Sequence, residues 1–140
     1  MKDSSIIFLA IRKLYPFICI YALYLIYNAD VSPGGGFQGG VILATALIGL
    51  IIIYGFETVQ EKLSSKMFTI IEISALIIII GFGLNGILIG KHFFYHFSGI
   101  FFIKAFSILI GLKVFSENVS IFYTFFDYYQ NETTAKPDDK

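Results

Sequence analysis

The sequence predicts an all-α integral membrane protein of four transmembrane helices with both termini in the cytoplasm. Hydrophobic residues make up 56% of the chain and charged residues 14%, where soluble domains carry about 25% charged residues. Mean hydropathy is +0.78. The apolar residues fall into long runs, and 140 residues leave room for at most about five spans of roughly 20 residues in one domain. Ten Lys and Arg balance ten Asp and Glu, so net charge points to neither nucleic acid nor an acidic partner.

The first apolar run extends from about Ile11 to Asn28. Arg12 and Lys13 at its start can reach headgroups with their charged ends. Pro16 falls in its first turn, where a missing N–H costs little. Ile6 to Ala10 is too short for the apolar region of a cleavable signal, so the first span is expected to remain in the mature chain. The second run, Gln38 to Phe56, has about 19 residues and would reach roughly 28 Å as a helix. A polar connector, Glu57 to Lys66, follows. The third run, Met67 to Gly90, is interrupted only by Glu72 and Asn85.

The last apolar region, Phe93 to Phe126, has about 34 residues, too long for one ordinary span and too short for two with a turn. It contains Lys104, Lys113 and Glu117. One reading places the span at about Phe93 to Leu112, with Lys104 at mid-depth. The other places it at about Phe102 to Phe125, with Lys113 and Glu117 inside and His92 to Phe97 in the interface, where amphipathic aromatics sit. Residues from about 129 to 140 form a polar C-terminal tail, and Gln130 to Lys140 is expected to be disordered.

Orientation follows from the placement of Lys and Arg. With four spans, the termini and the second loop share one face, which holds Lys2, Arg12, Lys13, Lys62, Lys66, Lys136 and Lys140. The opposite face holds Lys91, joined by Lys104 if that residue lies outside the membrane. The asymmetry puts both termini in the cytoplasm and the first loop outside.

That first loop carries the most distinctive run, Ser32-Pro33-Gly34-Gly35-Gly36-Phe37-Gln38-Gly39-Gly40. Proline fixes φ and removes a donor, and glycine permits close backbone approach. The run reads as a tight turn at a membrane boundary, built to be packed against. Gly34 to Gly39 satisfies G-x-G-x-x-G, but the pattern needs a βαβ context and here follows a membrane span. The small-residue spacing Gly35/Gly39 and Gly36/Gly40, repeated at Gly86/Gly90, favours helix packing in lipid instead.

Ionisable groups at span depth are expensive and mark an ion path or a buried partner by default. Glu72 would lie about 8 Å inside the third span, either as such a group or as a boundary residue reaching back to headgroups. Lys113 and Glu117 stand at i, i+4 and can pair on one helix face if the span includes them. His92 and His96 share that spacing, but no carboxylate or third histidine is near in sequence, so they read as interfacial residues. Cys19 is the single cysteine and reads as structural. No catalytic constellation, cofactor box or metal motif appears, and no enzyme activity or cofactor is expected of the chain alone.

Ser32 to Val41 resembles the signature of the B subunit of Mrp-type (Mnh-type) cation/proton antiporters. The same subunit occurs in the antiporter-like membrane arm of energy-converting hydrogenases and sulfane reductases. Pro16, Tyr24 and Glu72-x-x-Ala75 are further matches. Ile110-Gly111-Leu112-Lys113-Val114 and Gln38 look most like the hydrogenase-associated versions. The resemblance covers roughly Arg12 to Tyr128. It implies a non-catalytic four-helix subunit of a multisubunit Na⁺/H⁺-translocating complex in a prokaryotic cell membrane. Its partners would be other antiporter subunits, alone or with hydrogenase or related redox subunits. It also favours the last span at about Phe102 to Phe125. Family members usually carry Gly-His shortly before the proline, where this chain has Ala29-Asp30; Asp30 either substitutes as a carboxylate or the role is absent.

The expected docking element is therefore Pro33, Gly34, Gly35, Gly36, Phe37, Gln38, Gly39 and Gly40. The expected ion-path or intersubunit polar groups are Glu72, Lys113, Glu117 and Asp30. A purely structural assembly subunit is the nearest rival reading. A small autonomous transporter would be favoured by internal repeats, and the glycine turn has no counterpart in the second half.

Overall fold

The computed structural model describes residues 5–93 and 99–135, with side chains described over 6–93 and 99–132. Its elements are α1 (Ser5–Tyr27), α2 (Gly35–Tyr54), the short α3 (Phe56–Gln60), α4 (Ser65–Leu88) and α5 (Ile100–Ala135). No strand occurs among the described residues. Three helices, α1, α2 and α4, are long and apolar enough to cross a membrane by length and composition. Their outward faces match that solvent: Phe17 is 70% exposed, Ile20 66% and Ile77 63%, a surface suited to lipid or neighbouring helices rather than water.

Two sequence expectations need correction. Helix α1 begins by Ser5, because Ile6 to Ala10 continues the helix across Arg12 and Lys13. Pro16 therefore lies in the helix interior, where its ring removes an i→i−4 bond, and not in a first turn. At the other end, α5 continues through Ala135, so Gln130 to Ala135 is helical rather than disordered. The chain from Ser120 onward offers no proline or glycine before Pro137 to stop the helix. Reading residues 92–97 as interfacial, and pairing His92 with His96, reaches into residues outside those described.

Helix ends follow local chemistry. After α1, the chain turns through Asn28, whose carbonyl accepts from the N–H of Val31 at 3.0 Å and of Ser32 at 2.7 Å. Helix α4 ends in a Schellman motif: Gly90 N–H donates to Ile87 O at 2.9 Å and Lys91 N–H to Gly86 O at 3.0 Å. Gly90 takes φ +74° there, a value that a side chain would strain.

Helix α5 packs against α2 and α4, and α1 packs against α2. Phe82 on α4 meets Phe106 on α5 with ring centroids 6.2 Å apart, and Phe68 meets Phe115 and Tyr123 at 5.8 Å each. These contacts fix an antiparallel register in which Ile100 to about Tyr123 runs alongside the whole of α4. Tyr123 closes that end by donating its hydroxyl to Leu63 O at 2.9 Å. The core gathers at the same end, from Ala44, Leu47, Ile51, Phe56, Phe68, Val119 and Tyr123. Phe56 stacks on Phe126 at 4.2 Å.

Candidate functional site

The glycine run occupies a three-helix junction. Helix α2 starts at Gly35, so only Pro33 and Gly34 belong to the turn and the rest of the motif is helical. Gly36 and Gly40, one turn apart, face α5. A Cβ on Gly36 would overlap the Ser107 carbonyl, and one on Gly40 would lie 2.5 Å from Gly111 O. Gly39 faces α1, where a Cβ would lie 2.7 Å from Ala22 O and against the Ile26 side chain. Helix backbones thus approach as closely as the spacing of Gly36 and Gly40 suggests, whereas Gly35 would meet only Ala29 at 3.7 Å and Gly90 nothing within 4 Å, so Gly35/Gly39 and Gly86/Gly90 do not act as packing pairs. Ser107 reinforces the junction by donating to Ile26 O at 2.8 Å, wholly buried.

The outward side of the same motif remains open. Phe37 is 62% exposed and Val31 83%. A groove of about 450 Å³ is lined by Tyr21, Tyr24, Asn28, Pro33, Gly34 and Gln38, among others. The inner faces of the glycines are used within the chain, and the turn, Phe37 and Gln38 present a surface beyond it.

Asp30, singled out as the departure from the family pattern, meets Lys104. The Lys104 Nζ lies 3.7 Å from Asp30 Oδ1, with both side chains largely buried. It also sits 4.4 Å over the Tyr27 ring, a distance suited to a cation–π contact. Lys104 stands near the Leu88 end of the α4–α5 pair, within reach of the turn after α1.

The other charges lie in the half of that pair nearer Tyr123. Lys113 and Glu117 form an i, i+4 ion pair at 2.6 Å, each partly exposed. Glu72 lies half-buried on α4, between Phe68, 2% exposed, and Ala75, 1% exposed. These three occupy i, i+4 and i+7, so they share one stripe facing α5. The antiparallel register sets Glu72 level with Ser116. Among the described residues Glu72 has no ion-pair partner within 4.0 Å.

Ser116 is the residue that sequence reasoning passed over. It is 0% exposed and its Oγ has no hydrogen-bond partner among the described residues. Its position three residues after Lys113 and four before Ser120 was the available signal, since all three fall on one helical stripe. Among the described residues no group of three or more His, Cys, Asp or Glu side chains could hold a metal ion.

The profile of a family described as a domain related to the MnhB subunit of Na⁺/H⁺ antiporter matches residues 6–123. Curated proteins named as antiporter subunit mnhB2, from Staphylococcus aureus strains Newman, JH1 and COL, are each 31% identical over 78 residues. That alignment spans 55% of this chain and 55% of the relative, so the chain matches about half the length of these relatives. With the family profile covering most of the chain, this membrane protein belongs to the MnhB-related family of Na⁺/H⁺ antiporter subunits.

Proposed function

We propose that the chain is a non-catalytic membrane subunit of a multisubunit Mrp-type Na⁺/H⁺ antiporter module in a prokaryotic cell membrane. In this reading α5 carries a fourth span over about Phe102 to Phe125, both termini face the cytoplasm, and the glycine turn faces outward. The module is either free-standing or joined to an energy-converting hydrogenase-type complex, alternatives that differ in which subunits co-purify from native membranes.

The observation that carries the reading is the set Glu72, Lys113 and Glu117 within the length of a mostly apolar helix pair. An ionisable group there costs several kcal/mol by order of magnitude unless it is paired or hydrated. Lys113 and Glu117 pair with each other, whereas Glu72 has no such partner among the described residues. A proton or Na⁺ path between this subunit and a neighbour supplies hydration and a reason for the charge. The groove beside Pro33 and Gln38, with exposed Phe37, is a second docking surface, at the opposite end of the bundle from Glu72.

The test is Na⁺-dependent proton flux in vesicles holding the assembled complex. Glu72→Gln and Lys113→Ala should each lower flux at unchanged assembly; undiminished flux removes the path role. A second reading is favoured by the partial exposure of Lys113 and Glu117: both could face partner charges, making the subunit purely structural. There the same substitutions disperse the complex on native gels.

A further inference from the structure

Helix α4 and the α1–α2 pair both pack on α5, and between them opens a cavity of about 300 Å³. Its lining includes Tyr15 of α1, Leu43 and Leu47 of α2, Met67 and Ile71 of α4, and Phe115 of α5. Apart from the Tyr15 hydroxyl these side chains are apolar, so the space suits hydrocarbon better than water. A helix with its side chains is about 10–12 Å across and rises about 5.4 Å per turn. The cavity holds less than one such turn, whereas a single acyl chain is a narrower body.

Charge gathers at one end of this space. Leu63, which also lines it, belongs to the α3–α4 connection. That connection is anchored: Leu63 N–H donates to Val59 O at 2.8 Å, and Leu63 O accepts from the Tyr123 hydroxyl at 2.9 Å. Beside the lining positions Leu63 and Met67 stand Lys62 and Lys66, both exposed. Neither makes an ion pair within 4.0 Å among the described residues. On α1, Arg12 lies one turn from Tyr15 toward the same end, where Phe8 meets Tyr54 just before α3. The acids are set otherwise. Glu57 and Glu61 precede the lysines on the α3 side, and Glu72 lies about 9 Å deeper along α4 than Lys66.

Apolar walls with basic groups at one end match a lipid that carries a negative headgroup. Lys and Arg at the edge of a span reach the headgroup level, and basic groups beside helix clefts hold anionic lipid heads. We propose that the cavity seats an acyl chain of an anionic phospholipid whose phosphate is held by Lys62 and Lys66, with Arg12 beside them. The inference needs only that these helices lie in a membrane, and it stands whether or not Glu72 lines an ion path.

The chain has no tryptophan, so a single introduced one reports alone. Tyr15→Trp places an indole in the cavity wall. Phe17→Trp, at a position 70% exposed and about 3 Å away along α1, reports the general lipid surface. The full-length variants are reconstituted in phosphatidylcholine vesicles, and fluorescence quenching is read with brominated phosphatidylglycerol or brominated phosphatidylcholine. At Tyr15→Trp, half-quenching should need about one-fifth as much of the anionic lipid, the weight of one lysine near a membrane surface. Phe17→Trp should respond to both lipids within about twofold, and adding Lys62→Gln with Lys66→Gln should bring Tyr15→Trp to the same level. Equal quenching by the two lipids at Tyr15→Trp overturns the proposal. So does the same preference at Phe17→Trp, or a preference that survives loss of both lysines. Protection of Tyr15→Trp from both lipids, with Phe17→Trp quenched, is equally fatal, because a protein segment then fills the cavity. If Tyr15→Trp fails to insert, Phe115→Trp in the same lining takes its place and is read the same way.

Discussion

Lys104 Nζ stands 3.7 Å from Asp30 Oδ1 and 4.4 Å above the Tyr27 ring, tying the start of α5 to the end of α1. The ammonium group is off the hydrogen-bonding distance for Asp30, so the attraction is mainly coulombic and modest. Because the side chains are mostly shielded, with relative exposures of 26% and 16%, the pair should count for more than a surface bridge. Lys104→Met and Asp30→Asn are each expected to lower stability in detergent by about 1 kcal/mol. The double substitution should lose less than the sum, with a coupling of about 0.5–1 kcal/mol. Strict additivity in thermal unfolding would show that the two charges do not interact.

The glycine junction gives a sharper contrast. Gly36→Ala and Gly40→Ala place a methyl on the backbone carbonyls of Ser107 and Gly111, atoms that cannot move without shifting α5. Each should destabilise by about 1–3 kcal/mol or more and reduce accumulation of the subunit in membranes. Gly81 lies in α4 with nothing within 4 Å of a built Cβ, so Gly81→Ala should leave accumulation unchanged or slightly raised. The check is immunoblot quantity and thermal stability of the three variants side by side; equal behaviour contradicts the packing.

How much of this was legible in the sequence depends on whether the signal was local. Helices α2 and α4 follow from long apolar runs, that of α4 interrupted only by Glu72 and Asn85, with glycine at their ends. The small-residue spacing of Gly36 and Gly40 suggests close helix approach, since i, i+4 places those residues on one face whatever the partner, but the same spacing at Gly35/Gly39 and Gly86/Gly90 pairs glycines of which Gly35 and Gly90 touch no neighbouring helix. The partner itself was not legible. That Gly36 meets Ser107, and Asp30 meets Lys104, depends on how α5 folds back after α4, and no local pattern states it. Ser116 was missed for a related reason: burial and an unmet hydroxyl are properties of the packed helix pair. Pro16 misled because its preference for first turns is only a tendency, and Ile6 to Ala10 extended the helix behind it.

Tyr123 tests the opposite end of the bundle. Its hydroxyl donates to Leu63 O at 2.9 Å across the α3–α4 connection, and its ring lies 5.0 Å from Phe56 and 5.8 Å from Phe68. Tyr123→Phe keeps the ring packing and removes only the bond, for an expected loss of about 0.6–1.5 kcal/mol. Tyr123→Ala also empties the aromatic cluster and should lose about 3–5 kcal/mol. Thermal unfolding of purified variants separates the two; a phenylalanine variant as unstable as alanine would place the importance in the hydroxyl alone.

Orientation and the fourth span can be read together by cysteine labelling. Cys19→Ser provides a background without the native thiol, and Val31, Glu61 and Asp127 are exposed positions on the first turn, the α3–α4 connection and the far end of α5. The Tyr123–Leu63 bond keeps the Asp127 end beside the α3–α4 connection, so Glu61→Cys and Asp127→Cys should report the same side. With both termini cytoplasmic, an impermeant maleimide added to intact cells should label Val31→Cys only. Glu61→Cys and Asp127→Cys should react once the membrane is opened. Labelling of Glu61→Cys and Asp127→Cys in intact cells, with Val31→Cys protected, would invert the orientation. Asp127→Cys reacting on the opposite side from Glu61→Cys would show that the end of α5 does not return to the level where α4 begins. It would also remove the register read from the Phe82–Phe106 and Phe68–Tyr123 ring contacts.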